Sequence, residues 1–293
     1  MSSPVPDQSS DHIGKWDEIV SLARTYQYDR YIAATLSPRA ARHDLITLAA
    51  FAGEMRRIPW SVSEPTIGMI RLQWWRDGLT AAPQETTGNP LADAVRTVVA
   101  RNKLPVGLLL GHIDAQELEL YADLVEDMDQ LRLHYIRREG GLFQLAAQIL
   151  GQPSALDRLD QAACAYGMAK SIAEFAFRRN GRQLLVPGDM AASYGIKPDT
   201  TAEAASDSNR EQKPPAALLS DLADIAMSDY RASREALGSE AGNAFCALLP
   251  LALTPAYAST AKSPFAASNV SNMGPGNFSK SCRLLWAYMR GRL

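Results

Sequence analysis

The sequence is short of cysteine, of histidine and of any surplus of positive charge, and each shortage excludes a class of protein. Its 293 residues include three cysteines, Cys164, Cys246 and Cys282, which lie far apart in the chain. This spacing fits neither a disulfide framework nor a paired-cysteine zinc site, and it favours a reducing compartment. The 30 lysines and arginines stand against 32 acidic residues, a formal charge of −2. We therefore expect no nucleic-acid partner.

Long apolar runs and targeting signals are also missing. The longest apolar stretches, such as residues 244–252, fall far short of the roughly 20 residues that span a bilayer. Residues 1–14 contain neither the apolar segment of a secretory signal nor the arginines of a transit peptide, so we expect a disordered tail. These features predict a cytoplasmic protein that could contact the inner membrane only peripherally.

What the sequence does have is apolar residues at helical spacing along nearly its whole length. One stripe, in residues 45–55, predicts a helix that begins at Pro38 after a Ser37 N-cap and stops at Pro59. The other predicted helices cover residues 15–28, 91–101, 106–122, 142–149, 154–173, 218–237, 241–258 and 279–291. No segment alternates as a strand would, so the predicted fold class is all-α.

The helix after Pro59 has the widest apolar surface. We expect Ser63 to cap it and its apolar residues to cover most of its circumference. They are Ile67, Met69, Ile70, Leu72, Trp74, Trp75 and Leu79. This pattern predicts a central helix in which Trp74 and Trp75 pack in the core rather than form a platform for a substrate.

Two polar stretches interrupt the helical pattern. Residues 197–215 and 262–277 contain few large apolar side chains, so we expect mobile loops there. The segments on either side do not differ in composition. The sequence therefore predicts a single domain over residues 15–293.

Four segments resemble the squalene/phytoene synthase family. They are residues 28–79, the helix at 135–151 with Glu139-Gly140-Gly141-Leu142-Phe143-Gln144, residues 166–187, and residues 284–292. The resemblance extends over about residues 16–292. It implies the isoprenoid-synthase fold, a helical bundle around a central cavity. In that family two aspartate-rich helices hold Mg²⁺ ions while two prenyl diphosphates are joined head to head.

The first aspartate motif of that family would follow Ala50-Phe51 here. The sequence at this point reads Glu54-Met55-Arg56-Arg57, so the local charge is reversed and a metal would be repelled. An alternative interpretation is that Arg56 and Arg57 bind a phosphate or carboxylate directly, in place of a metal.

The second motif is also altered. One acid, Glu174, stands among Lys170, Arg178 and Arg179, and a lone carboxylate among cations does not form a Mg²⁺ cluster. No cofactor is therefore predicted, unless the chain is an active prenyltransferase that uses Mg²⁺.

A literal Asp-x-x-x-Asp is present elsewhere, at Asp123 and Asp127, with Glu119 and Glu126 nearby. We interpret it as a solvated face or loop rather than a metal site. The histidines are dispersed, and none is paired with a serine or cysteine as nucleophilic catalysis would need. They are His12, His43, His112 and His134.

Residues 58–77 resemble a divergent branch of the family, found in proteobacteria and mitochondria, whose mitochondrial member is an assembly factor of respiratory complex I. The residues that carry this branch signature are Trp60, Ser63, Glu64, Gly68, Arg71, Gln73, Trp74 and Trp75. We expect Ser63 and Glu64 to cap a helix. Arg71 and Arg76 are expected to pair with Glu64 or Asp77.

Three functions follow from this resemblance. The first is a catalytically degenerate protein in the assembly or maturation of complex I, with a respiratory-complex subunit or the membrane surface as partner. The second is an active prenyltransferase that condenses farnesyl or geranylgeranyl diphosphate. The third is a non-catalytic binder of an isoprenoid or lipid. An open apolar cavity would favour a ligand, whereas a cavity filled by Phe51, Trp74 and Phe143 would leave the surface for function.

Overall fold

The computed structural model describes residues 8–82, 85–121, 124–152, 159–175, 184–196, 216–237, 244–262 and 274–293, and these form a bundle of helices. The all-α prediction is confirmed. The helices are α1 (Gln8–Tyr26), α2 (Tyr28–Leu36), α3 (Arg39–Ser61), α4 (Pro65–Thr80), α5 (Pro90–Asn102), α6 (Val106–Tyr121), α7 (Met128–Tyr135), α8 (Gly141–Ile149), α9 (Leu159–Phe175), α10 (Gly188–Ser193), α11 (Ala216–Leu237), α12 (Phe245–Leu248), α13 (Thr254–Ala258) and α14 (Asn277–Arg290).

Short irregular elements join some of these helices. A π-helical turn, Ile136–Gly140, connects α7 to α8, and 3₁₀ turns at Leu249–Leu253 and Ser259–Lys262 flank α13. The predicted helix 241–258 is therefore broken within its described part, because Pro250 and Pro255 cannot donate backbone hydrogen bonds. Two strands that the sequence did not predict, β1 (Leu124–Val125) and β2 (Val186–Pro187), pair in parallel.

Helices α3 and α9 form the centre of the bundle. Both are buried around most of their circumference: α3 between residues 44 and 59, and α9 between residues 159 and 173. A helix that is apolar on most sides is one that neighbours surround. Glu54 and Arg56 lie on the buried part of α3 and Lys170 on that of α9, at positions that the resemblance assigns to the aspartate motifs.

The predicted ends of α3 need correction. Pro38 is the N-cap of the helix rather than its first residue, and the helix continues through Pro59 to Ser61. Pro59 lies in the last turn, where its missing N–H removes a single backbone hydrogen bond. Some other predictions fall outside the described residues: the loop at 197–215, most of the loop at 262–277, and residues 1–7 of the predicted tail. Residues 8–14, also predicted to belong to that tail, form the start of α1.

Helix α4 lies at the surface, so the prediction of a central helix is wrong. Its N-cap is Glu64, followed by Pro65 at the first helical position, and Ser63 lies outside the helix. The buried face consists of Gly68, Leu72, Trp75 and Leu79.

The opposite face of α4 is exposed although it is apolar. Ile67, Ile70 and Trp74 are 46%, 65% and 40% exposed. We call these three residues the α4 ridge. The prediction that Trp74 packs in the core is therefore wrong, whereas Trp75 is buried. Gly68 lets this face approach α6 closely, since a Cβ at that position would lie 2.5 Å from Cδ2 of Leu120.

The close contact between α9 and α7 gives a test of this packing. A Cβ on Gly167 would lie 2.4 Å from Cδ1 of the buried Tyr135 ring. Gly167→Ala should therefore lower the free energy of unfolding by about 1–3 kcal/mol, despite the better helix propensity of alanine. Gly111→Ala on α6 is the matched control, because no atom lies within 4 Å of its Cβ. We expect it to stabilise slightly in the same urea titration, and equal effects of the two variants would contradict the packing described.

No helix among the described residues is both long and apolar enough to cross a bilayer.

Candidate functional site

Glu54, at the position of the first aspartate motif, is engaged by two arginines. Arg57 lies one turn further along α3 and approaches a Glu54 carboxylate oxygen at 2.8 Å. Arg71 of α4 approaches the other oxygen at 3.1 Å and also donates to the Ser61 hydroxyl. The hydrogen bond to Glu54 raises the pKa of Arg57. The Arg71 side chain therefore ties α4 to α3, and the predicted pairing of Arg71 with Glu64 or Asp77 is wrong.

Arg56 and Glu174 join the two motif positions directly. The Arg56 guanidinium forms an ion pair with the Glu174 carboxylate of α9, and it also donates to the backbone carbonyl of Tyr26 at 3.1 Å. The guanidinium lies over the Trp60 ring, 4.3 Å from its centroid. Both charged groups are buried or nearly so. Arg56 could have bound a phosphate and Glu174 a metal ion, but the two side chains bind each other instead.

Lys170 is buried on α9. It binds Gln27 and Asp29, which lie at the start of α2, and Tyr166, which lies one turn earlier on α9. Its Nζ donates to Gln27 Oε1 at 3.1 Å and to the Tyr166 hydroxyl at 2.9 Å, and it lies 3.7 Å from Asp29 Oδ2. Burial lowers the pKa of Lys170 to about 8, while the neighbouring Asp29, Glu174 and Glu139 act in the opposite direction.

Asp29 of α2 is the most heavily bonded carboxylate of the interior. It accepts hydrogen bonds from the hydroxyls of Tyr166, at 2.7 Å, and Tyr257, at 2.6 Å. Lys280 of α14 approaches its other oxygen at 3.4 Å. Burial alone would raise the pKa of Asp29, but Lys170, Lys280 and the two hydroxyls outweigh it and hold this pKa well below its usual range. Asp29 therefore remains an anion inside the bundle.

The π-helical turn supplies a second group of buried charges. Glu139 accepts from Arg30 of α2 at 2.6 Å, and Arg138 donates to Glu119 of α6 at 2.7 Å and to the Ser171 hydroxyl at 3.2 Å. A π-turn widens the helix, which lets the consecutive residues 138 and 139 both turn inward. Burial would raise the pKa of Glu139, but Arg30, Lys170 and Arg138 together lower it to about 2.

Two histidines pack against this group without carrying charge. His112 donates from Nδ1 to the backbone carbonyl of Arg138 over 2.6 Å, and burial lowers its pKa to about 4. His134 lies 3.4 Å from Glu119, and burial lowers its pKa as well. Both are therefore neutral at pH 7.

These charges form three groups, each joined by hydrogen bonds or ion pairs, and charges of one group shift the pKa values of another. We call the three groups together the interior network. Four interior cations face four interior anions, and Lys280 adds a cation beside Asp29 at the edge of the network. The members are Asp29, Arg30, Arg56, Glu119, Arg138, Glu139, Lys170 and Glu174. Among the described residues no three His, Cys, Asp or Glu side chains come together as metal ligands. The carboxylates do not fit the Mg²⁺ ions that the resemblance implies for an active member, since each is engaged by an arginine or a lysine.

Other predicted site residues have structural partners. Arg76 binds Asp114 and Glu117 of α6, rather than Glu64 or Asp77, because α4 packs against α6. Gln73 donates to Asp77 at 2.7 Å.

Of the two aspartates of the Asp-x-x-x-Asp motif, the structure describes Asp127. Asp127 is the N-cap of α7 and accepts from the backbone N–H of Gln130. Glu119, expected on a solvated face, is buried because Arg138 pairs with it. Asp123 and Arg178 lie outside the described residues.

Aromatic side chains fill the space beside the network. Phe51 and Phe143 are fully buried, as the filled-cavity alternative predicts, but Trp75 takes the place expected for Trp74. The Arg30 guanidinium lies 4.7 Å from the Phe143 centroid. Arg30 also lines a small recess that is partly open to solvent. Its lining is otherwise mainly apolar, from α2, α3 and α8 to residues 246–250, and includes Ala33, Leu45, Leu48, Ala146 and Pro250.

The sequence analysis did not identify the other residues that take part in the interior charge contacts. These are Asp29, Arg30, Glu119, Arg138, Glu139, Tyr166, Tyr257 and Lys280. Two signals were present: Tyr166 and Lys170 are four residues apart on one helix face, and Glu139 belongs to a segment that carried the family resemblance. Neither signal shows which charges meet across the bundle.

Comparison with known proteins identifies relatives of this chain. The chain is 26% identical over 182 residues to the mouse protein named NADH dehydrogenase (ubiquinone) complex I, assembly factor 6, a match that covers 60% of this chain and 54% of the mouse protein. The cow protein of the same name is 26% identical over 195 residues, with 65% and 58% covered. The chain thus spans little more than half the length of these relatives.

Two solved structures share the fold. Squalene synthase HpnC from Alicyclobacillus acidocaldarius superposes with a TM-score of 0.62 at 15% identity, over 95% of this chain and 94% of that one. A dehydrosqualene synthase in complex with ligand gives a TM-score of 0.68 at 12% identity, over 97% and 99%. The family model for squalene/phytoene synthase matches residues 23–264, and the chain therefore belongs to the squalene/phytoene synthase family.

Proposed function

We propose that this protein acts in the assembly or maturation of respiratory complex I and does not carry out prenyl transfer. The observation that supports this most is the interior network. Arg56 and Lys170 stand at the two motif positions, and the protein's own carboxylates neutralise them. Breaking such pairs to admit a metal and a diphosphate would leave buried charges uncompensated, at a cost of several kcal/mol for each.

The process itself is suggested by the relatives, which are named as assembly factors of complex I. Complex I is a membrane complex, so we propose that the protein works at the cytoplasmic surface of the membrane that holds it. Its partner there would be a subunit of that complex or an intermediate of its assembly.

Deleting the gene tests this function. We expect assembled complex I, measured on native gels, and NADH:quinone oxidoreductase activity of the membranes to fall at least twofold together. A plasmid copy of the wild-type gene should restore both. Unchanged levels of both in the deletion strain would contradict the proposal.

The α4 ridge gives the assembly hypothesis a surface to test. It is apolar and exposed, and exposed apolar patches mark interaction sites. The charged groups beside it are already paired, Arg71 with Glu54 and Arg76 with Asp114 and Glu117. A neutral, apolar surface of this kind fits a protein partner.

We expect the double variant Ile70→Ser, Trp74→Ser to fold normally and to restore less than half of the complex I that the wild-type gene restores. Loss of two apolar anchors at an interface costs several kcal/mol of binding. Leu133→Ser on α7 is the control, since it also removes an exposed apolar side chain. Full rescue by the ridge variant would rule out the ridge as the partner surface.

The alternative function is that of an active prenyltransferase, which family membership and the shared fold support. It would require the charged interior to reorganise around two diphosphates. Because the described carboxylates are committed to arginines and lysines, we regard this as the second candidate.

A further inference from the structure

Helix α14 has an apolar face that points away from the protein. Phe278, Leu285, Trp286 and Met289 are 84%, 45%, 54% and 69% exposed. Phe278, Leu285 and Met289 are spaced seven and four residues apart, so they share one face of the helix. The exposed Cys282 falls on the same face.

The opposite face of α14 anchors the helix to the bundle. Leu284 and Ala287 are buried, the Ser281 hydroxyl is 2.8 Å from that of Tyr28, and Lys280 is paired with Asp29. These contacts fix the rotation of the helix about its axis. The apolar outer face is therefore presented in a defined orientation and does not result from a loose end of the chain.

The charged side chains of this segment are all positive. Residues 274–293 contain no acidic residue. With Lys280 turned inward, three cations are left: Arg283, Arg290 and Arg292. None of these arginines forms an ion pair with a carboxylate of the described residues, and Arg290 lies over the Trp286 ring, 3.9 Å from its centroid. Arg283 and Arg290 are seven residues apart and form a basic edge beside the apolar face.

We propose that α14 docks this protein on an anionic lipid surface. In this geometry the helix lies in the plane of the bilayer interface, with its apolar face among the acyl chains and the arginines at the headgroups. An apolar face, a tryptophan at its border and a basic edge without acids are the features of such helices.

Charge complementarity favours an anionic lipid surface over a second copy of the chain as the partner of α14. A second copy of the chain, packed face to face about a twofold axis, would bring the arginine edges of two like-charged helices close together. A lipid surface instead supplies negative charge on the arginine side and apolar volume for Phe278 and Met289. The inference stands on α14 alone and does not rest on the assembly function.

Vesicle binding by the full chain tests the proposal. We expect binding to an equimolar mixture of phosphatidylglycerol and phosphatidylcholine to exceed binding to phosphatidylcholine alone by roughly tenfold or more, and to weaken as salt is raised. Arg283→Gln and Arg290→Gln should each lower binding to the anionic vesicles roughly fivefold. Equal binding to the two vesicles, or none to either, would overturn the proposal.

The apolar contribution is tested separately. Phe278→Ser with Met289→Ser should lower binding to the anionic vesicles roughly tenfold or more, whereas Ile70→Ser with Trp74→Ser on the α4 ridge should leave it unchanged. Both double variants change exposed side chains, and their thermal melting is compared with that of the wild type. Equal losses from both would contradict the assignment to α14.

A fluorescent label on the wild-type chain gives a readout that does not depend on variants. Cys282 is exposed while Cys164 and Cys246 are buried, so an environment-sensitive fluorophore should react at Cys282. Its emission should shift to the blue with anionic vesicles. A label on Cys282→Ser, Glu18→Cys, placed on α1, should not shift. A stable dimer in the absence of lipid, lost in Phe278→Ser with Met289→Ser, would assign the face to a second copy instead.

Discussion

Asp29→Asn is expected to lower the free energy of unfolding by about 3–5 kcal/mol at pH 7, the largest effect of any conservative substitution we predict. The change removes the anion that two tyrosine hydroxyls and two lysines surround. Lys170 is then left buried without its carboxylate, and an uncompensated buried charge is costly. Urea unfolding followed by circular dichroism measures the difference.

The pH dependence of this variant provides a further check. Burial already lowers the pKa of Lys170 to about 8 in the wild type, and without Asp29 it should fall further. Raising the pH then lets Lys170 lose its proton and avoid the cost of a buried charge. The penalty of Asp29→Asn should therefore be smaller at pH 9 than at pH 7.

The control for Asp29→Asn is an exposed pair on α11 and the turn that follows α13. Asp224 and Lys262 are 2.8 Å apart and both are more than half exposed. Asp224→Asn should change the free energy of unfolding by less than about 1 kcal/mol. A loss below 1 kcal/mol for Asp29→Asn as well would show that the interior network does not hold the bundle together.

Acid should destabilise the protein well above the pH at which carboxylates titrate. Burial lowers the pKa of His112 to about 4 in the folded state, whereas an unfolded histidine titrates near 6.5. As the pH falls below 6.5 the unfolded chain binds this proton first, so the free energy of unfolding decreases down to about pH 4. Between pH 6.5 and 5 this one group accounts for about 1.5 kcal/mol.

His112→Gln should remove that share of the pH dependence. Glutamine can still donate to the Arg138 carbonyl that His112 Nδ1 contacts, but it does not titrate. We expect a shallower decline in stability between pH 6.5 and 5 than in the wild type, with the decline that belongs to His134 retained. His43→Gln is the control, because the His43 ring is exposed. Identical slopes for wild type and His112→Gln would contradict this account.

Below pH 4.5 the carboxylates take over. The folded-state pKa of Glu139 is about 2 and that of Asp29 is also depressed. Their contribution to the free energy of unfolding is therefore fully present above the pKa values that these carboxyls have in the unfolded chain. It is lost as the pH falls further.

The sequence allowed the helical fold to be predicted because apolar spacing and caps are local signals. It also predicted, from the resemblance, that basic residues occupy the two positions where the family carries aspartates. It did not show where their counter-charges lie, because Asp29, Glu119 and Glu139 come from α2, α6 and the π-turn, far apart in the chain. Contacts between elements depend on how helices rotate and pack, which the spacing of one helix does not determine.

Helix α4 illustrates the same limit. Its sequence contains two apolar stripes, and periodicity alone cannot say which one is buried. The stripe with Gly68 packs closely against Leu120 of α6 and is buried, whereas the α4 ridge is left at the surface.

A prenyl-transfer assay tests the central claim most directly. The purified full chain is incubated with Mg²⁺ and either farnesyl or geranylgeranyl diphosphate, beside a dehydrosqualene synthase as positive control, and both released diphosphate and extracted hydrocarbon are measured. With its interior cations neutralised by Asp29, Glu139 and Glu174, we expect this chain to release no more diphosphate than a sample without protein. Mg²⁺-dependent formation of a squalene- or phytoene-like product would contradict the account.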